Sequence, residues 1–407
     1  MVEPVKPGKG VILLTTCLDL IGFGIVIPLL PAYANSFDIS DPKIGLIMAA
    51  YSFMQFVCAP MWGHLSDRIG RRPVLLATIP LTGVCYLLCG FATSFATLLA
   101  ARLAAGFFGA NLSVAQAYMA DVTPREDRAR GMALIGMAFG VGFSVGPALG
   151  AIAWSWGRTV FEDEPLRALA MPFFVAGGIG LLNSVWALFA LRESLPEEKR
   201  RGNGPGEDRP GRFDAMRRAW GLPALRALLL LAFLGTFAFA NFETTLTRFL
   251  QDIHGLDVEI AKTFAFIGVV LVLSQGLYRG LVRRAGEGPM LAAGMLLMTI
   301  GLAALPWTPT GLLLVPLCVL SMGNGWVHPS ISAMVSMRTP ANLQGGTFGI
   351  TQSVASIARI VGPLIGLSLF AMAPRSPHVL AAVLLAVATI WATRVGGADA
   401  AAKPALD

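Results

Sequence analysis

"GHLSDRIGRRPVLL", residues 63–76, sits between two long apolar runs and carries Asp67, Arg68, Arg71 and Arg72 within six positions. Charges packed this tightly between oily segments mark a place where the chain leaves an apolar medium and turns back. The composition supports that reading: 55% of the 407 residues are hydrophobic and 14% charged, against roughly 25% charged in soluble domains. The chain is therefore expected to be an integral membrane protein in contact with lipid. Its net charge of +7 does not point to nucleic acid, because the cations fall in short loops between apolar runs, where they set membrane topology.

A crossing helix needs about 20 mostly apolar residues. Twelve such runs are expected, at 11–33, 44–63, 73–93, 95–120, 131–153, 169–191, 224–250, 259–281, 289–306, 310–336, 344–371 and 378–395. Lys6 and Lys9 precede an oily run that contains proline and lacks a small-residue cleavage site, so that run is read as a retained first helix. With the N-terminus in the cytoplasm, Arg68, Arg71, Arg72, Arg125, Arg128, Arg130, Arg279, Arg283, Arg284, Arg338 and Arg394 all fall inside. The outer loops hold little beyond Lys43, Arg158, Arg167 and Arg375. This bias puts both termini in the cytoplasm. Residues 192–222, rich in charge, Gly and Pro, read as a cytoplasmic linker between a six-helix bundle at 1–191 and another at 223–407. A short surface helix is expected within the linker, from Phe213 to Trp220. Cys17, Cys58, Cys85, Cys89 and Cys318 lie inside apolar runs, which argues against a disulfide framework. Cys85 and Cys89 read as packing residues rather than metal ligands. No metal or cofactor is expected.

The two halves share punctuation. Pro73 in "RRPVLLA" matches Pro289 in "EGPMLAA", Pro124 in "VTPRE" matches Pro340 in "RTPAN", and Pro147 in "SVGPALG" matches Pro363 in "RIVGPLIG". Each pair is separated by 216 positions. Three prolines in register argue for duplication, and six spans per half mean that both copies enter the membrane in the same direction.

On these residues the chain resembles the major facilitator superfamily. Gly63, Asp67, Arg68, Gly70, Arg71 and Arg72 match the family's signature between helices 2 and 3. "LLAARLAAGFFGA", 98–110, is similar to its helix 4 motif, with Arg102 in the membrane. "GMAFGVGFSVGPALG", 136–150, is similar to the helix 5 motif of proton-driven exporters, with Gly136, Gly140, Gly142, Gly146, Pro147 and Gly150. "LDLIGFGIVIPLLP", 18–31, resembles helix 1 of the drug/proton antiporters, tetracycline exporters included. The resemblance implies an all-α fold of 12 helices in two parallel-repeat bundles, and a transporter rather than an enzyme. It also implies a cytoplasmic latch in which Asp67 meets the start of helix 11, Arg71 reaches Asp121, and Gly63 lets helices approach closely. Those exporters carry further acids in helices 3 and 9, where this chain has Cys85 and Met298.

Ionisable groups inside a membrane are rare and usually functional. Asp19 is the leading candidate for carrying a proton and Glu243 the second, with Arg102 as a tuning group. At about 1.5 Å of rise per residue, Asp19 and Arg102 sit roughly 12 Å apart in depth, so direct pairing is not assured. The cavity is expected to hold Phe23, Tyr51, Asn111, Gln116, Phe239, Asn241, Trp326, His328 and Gln352. Arg248 is expected to reach for the outer surface, and Arg359 to staple helix 11 to a neighbour. Aromatic walls with few polar groups suit amphiphilic small molecules. The expectation is a monomeric, proton-coupled exporter of drug-like compounds in a cytoplasmic (inner) membrane. The alternative is a proton-coupled importer or exporter of a metabolite. The sequence contains no Walker-type loop or nucleophile–base arrangement for an ATPase or other enzyme.

Overall fold

The computed structural model describes residues 8–124, 128–197, 200, 223–255, 260–339 and 344–401. Among these, twelve helices are long and apolar enough to cross a membrane, and no strand occurs. They are α1 (Lys9–Val26), α2 (Asp41–Ile69), α3 (Arg71–Gly90), α4 (Phe95–Asp121), α5 (Arg128–Val160), α6 (Pro165–Ala190), α7 (Pro223–His254), α8 (Ile260–Ala285), α9 (Glu287–Ala304), α10 (Leu314–Arg338), α11 (Gln344–Met372) and α12 (Ser376–Ala401). The helix expected at Phe213–Trp220, and Arg125 and Pro340, lie outside the described residues.

Two expected spans are broken. The first run, expected to continue to residue 33, stops at Val26. A turn follows at 27–29, and then a short helix, Leu30–Asn35. Pro28 and Pro31 lack the N–H groups that would continue the ladder. The fourth run is interrupted by a 3₁₀ turn at Gly109–Asn111. That turn wraps Tyr51 of α2. A Cβ on Gly106 would meet the Tyr51 Cα at 2.8 Å, and one on Gly109 would meet its ring.

The duplication is visible in the backbone. α3 and α9 each begin one residue after a glycine in the left-handed region, Gly70 (φ 103°) and Gly286 (φ 85°), which stand 216 positions apart. α5 and α11 run through Pro147 and Pro363, again 216 apart, without a break. Helices α1–α6 pack chiefly among themselves, as do α7–α12. The two sets meet where α2 lies on α11 and α5 on α8.

Helix α5 is two-faced. On one side, a Cβ on Gly142 would sit 2.7 Å from the Leu20 Cβ, one on Gly146 2.6 Å from the Gly24 Cα, and one on Gly150 2.7 Å from the Ile25 carbonyl oxygen. That stripe is smooth so that α1 can lie against it backbone to backbone. The other side faces α8, where a Cβ on Gly268 would meet the Ser144 carbonyl oxygen at 2.6 Å. Gly146→Val is expected to destabilise the protein by about 1–3 kcal/mol, the usual cost of overpacking. Gly136→Val should cost little, because its Cβ would meet only Ser332 Oγ, at 3.6 Å. Thermal melts of the two variants in one detergent provide the comparison.

Candidate functional site

Residues near the start of α2 and the end of α7 share one end of the bundle, here termed the far end. The charged 63–76 turn and the start of the linker share the other, the linker end.

Asp19 on α1 is half-buried, and the Asn111 side chain at the α4 break lies within reach of its carboxylate. Beside it, Phe23 and Tyr51 stack with ring centroids 4.6 Å apart. Arg102, 1% exposed, lays its guanidinium over the other part of this aromatic group, 4.9 Å from the Tyr51 centroid. Its Nε and Nη1 make no hydrogen bond. Asp19 and Arg102 form no ion pair among the described residues, in keeping with the depth difference expected from their positions. Tyr51 nevertheless lies within electrostatic range of Asp19, Arg102 and Arg359 together, so one ring joins the charged groups of both halves.

From the second half, Glu243 on α7 is buried and interacts electrostatically with Arg359 on α11. Arg359 also acts on His328 of α10, whose side chain is exposed although it sits mid-helix. An interaction with Glu243 on the neighbouring α7 fits the expectation that Arg359 ties α11 to a neighbour. Gln116 and Gln352 are half-exposed, and the Gln352 Nε2 makes no hydrogen bond.

Three residues expected in the cavity are placed otherwise. Asn241 is fully buried against α11, where Cβ atoms on Gly362 and Gly366 would strike it. Trp326 turns into its own half and donates Nε1–H to the Ser274 carbonyl at 3.1 Å. Phe239 is buried beside Phe242, in the core of the second half. An apolar helix gives no amphipathic stripe to show which of its faces looks inward.

At the linker end, Arg71 is 1% exposed. Its Nη2 pairs with Asp67 at 2.6 Å, its Nε pairs with Asp121 at 3.1 Å, and its Nη1 donates to Ser66 Oγ at 2.6 Å. The described partner of Asp67 is Arg71 in its own half; the expected contact with the start of α11 falls outside the described residues. Gly63 is not a tight crossing: its Cβ would meet only Ser113 Oγ, at 3.9 Å. Arg68 is exposed. Arg72 reaches the last carbonyls of α6, Leu188 and Leu191, at 3.0 and 2.8 Å. Glu193, which the sequence reading did not single out, holds this turn in place. Its carboxylate accepts from the backbone N–H of Arg71, Arg72, Ser194 and Leu195 at 2.9–3.2 Å. It therefore places an anion at the N-terminus of α3 and ties the linker to the turn.

The far end carries a bridge between the halves. Arg248 Nε on α7 lies 2.9 Å from Asp41 on α2, and Nη2 lies 3.5 Å from Asp252. Thr247 donates to the Pro28 carbonyl at 2.9 Å. Arg248 is thus committed to a partner rather than to the surface. Arg248→Ala is expected to loosen this end, and the charge swap Asp41→Arg with Arg248→Asp to restore it. Labelling of a cysteine placed on α2 beside Asp41 reads out both: the single variant should label several-fold faster and the swap at the wild-type rate.

A polytopic bundle that closes ionisable and aromatic groups between two repeated helix sets is a membrane transporter for small molecules. The Major Facilitator Superfamily model matches residues 12–363 and 273–405, and the chain belongs to that family. It is 32% identical over 375 residues to the class C tetracycline resistance protein of Escherichia coli, covering 89% of each chain. It is 30% identical over 411 residues to major facilitator superfamily domain-containing protein 10 of Bos taurus, covering 89% of this chain and 87% of the other. Among solved structures, the human organic anion transporter MFSD10 (TETRAN) superposes with a TM-score of 0.70 at 27% identity, over 94% of this chain and 98% of that one.

Proposed function

We propose that this transporter is proton-coupled and exports amphiphilic, drug-like molecules by alternating access. The half-buried Asp19 carries the reading. It is an acid in a membrane span, in no ion pair among the described residues, and set beside the stacked Phe23–Tyr51 pair. A proton taken up there discharges the site and displaces a cationic or polar substrate; loss of the proton resets it. Glu243 is the second proton-coupling group, and Arg102 tunes the environment through Tyr51. The bundles at 1–191 and 223–407 rock about their shared faces, with the linker at 192–222 joining them. The excess of Arg at the linker end favours a cytoplasmic position for that end and for both termini, in a cytoplasmic (inner) membrane. The glycine stripe of α5 and the likeness to tetracycline resistance proteins support export.

A second reading, an organic anion as substrate, draws on Arg102, whose buried guanidinium has unused donors, and on the printed identity of the human MFSD10 structure. Proteoliposomes carrying a proton gradient separate the two. Tetracyclines, lipophilic cations and aromatic carboxylates are added in turn and proton movement is followed. Movement evoked by cations or tetracyclines supports the first reading, and movement evoked only by carboxylates the second. Substrate flux with no proton movement overturns the coupling.

A further inference from the structure

The α5–α8 contact holds a polar tie between the 136–150 stretch and a residue of the second half that no family signature contains. Gln275 of α8 points across the boundary between the halves. Its Nε2 donates to the Gly140 carbonyl at 3.3 Å and to Ser144 Oγ at 3.1 Å. Ser144 Oγ in turn donates to the Gly140 carbonyl at 2.7 Å, so the three groups form a closed arrangement. Gly140 makes the seat possible, because a Cβ there would lie 3.1 Å from Gln275 Nε2. Both ends of the tie are anchored. One residue away, the Ser274 carbonyl accepts from Trp326 and fastens α8 to α10 of its own half. Two residues from Gly140, Gly142 lies directly on Leu20, the neighbour of Asp19.

We infer that Gln275 is a positioning residue of the transport cycle, a pivot that keeps the two halves in axial register while they rock. The acceptors on α5 lie on successive turns, at positions 140 and 144. To find an equivalent pair the amide would have to step a full turn, about 5.4 Å along the axis, and would stay unpaired on the way. Gln275 is half-buried, so on the way it would give up two hydrogen bonds that its partly covered position replaces only in part, and axial sliding is resisted. Rotation about the contact leaves both bonds within reach. The tie thus selects rocking over sliding. The smooth contacts on either side, Gly268 on Ser144 and Gly136 on Ser332, offer no such stop.

The inference rests on the alternating-access reading, and its deciding readout is a distance rather than transport. Spin-label pairs spanning the halves, one at the far end and one at the linker end, are measured in nanodiscs for wild type, Gln275→Leu and Gly140→Ala. Rocking lengthens one distance as it shortens the other; sliding broadens both together. Wild type is expected to show anticorrelated distances. Both variants should add joint broadening, up to about one helical turn, and lower the maximal transport rate several-fold with little change in KM. Gln275→Glu, which keeps the shape but faces a carbonyl with a carboxylate, should behave like Gln275→Leu or worse. If Gln275→Leu and Gly140→Ala both fold and both give the wild-type distance distributions, the pivot is overturned and the amide is packing alone. Altered distances without any proton coupling in wild type would uphold the pivot and sink the proton reading.

Discussion

Asp19→Asn is expected to abolish uphill transport driven by a proton gradient while leaving substrate exchange intact. The substitution keeps shape and hydrogen-bonding capacity beside Asn111 and the Phe23–Tyr51 stack, so the cavity should still form and bind. What it removes is the group that takes up and gives back a proton. Without it the proton gradient has no titrating group at this site to act through, and gradient-driven flux should fall to the rate seen with no gradient. Exchange of labelled for unlabelled substrate at equal pH on both sides requires the halves to alternate but requires no net proton movement, and it should persist. The two assays run on one preparation of proteoliposomes. Loss of both would make Asp19 a binding or folding residue. Retention of uphill transport would pass the proton role to Glu243, whose neighbour Arg359 makes Glu243→Gln the next variant.

What was legible in the sequence was whatever has a period or a punctuation mark. Twelve spans followed from apolar length, and the duplication from prolines 216 positions apart, because a proline or a left-handed glycine does local work that both copies still require. Breaks inside spans were harder. Pro28 and Pro31 announced the first in hindsight, but the 3₁₀ turn at Gly109–Asn111 depends on the packing of Tyr51 from another helix. Pairings between distant positions were mostly invisible. Arg248 meets Asp41 207 residues away, and Glu193 caps α3 from 122 residues along the chain. Nothing local distinguishes either residue from an ordinary surface charge. Asn241 and Trp326 are hard to place for a related reason. In a helix that is apolar all round, residue type does not say which way a polar side chain faces: Trp326 finds its acceptor in its own half, and Asn241 packs against α11 with neither amide atom hydrogen-bonded among the described residues. Arg71–Asp121 was reached only through the resemblance.

The second large effect should come from Arg71, the most buried charge of the 63–76 turn. Three acceptors converge on one guanidinium: Asp67, Asp121 and Ser66. Removing it takes away the cation between Asp67 and Asp121, although Asp121 keeps the Ser194 hydroxyl as a donor. Breaking a buried ion pair by deleting one partner costs about 3–5 kcal/mol. Asp67 and Asp121 retain 26% and 18% side-chain exposure, so water relieves part of that, and Arg71→Leu is expected to cost about 3 kcal/mol. Arg71→Lys should recover little, because a single ammonium cannot replace a fork that serves three directions. The interaction is separable from mere burial by a cycle. If Asp121 is damaging only when Arg71 is gone, then Asp121→Asn added to Arg71→Leu should give back stability, a coupling of roughly 0.5–3 kcal/mol. Glu193→Gln should weaken the same turn less, since the amide oxygen can still accept from the Arg71, Ser194 and Leu195 N–H groups and only the Arg72 N–H loses its acceptor. Melting temperatures for the single and double variants decide between a charge network and independent anchors: additive losses would mean that the arginine only marks the membrane boundary, whereas recovery in the double variant would establish that the turn is held as a unit.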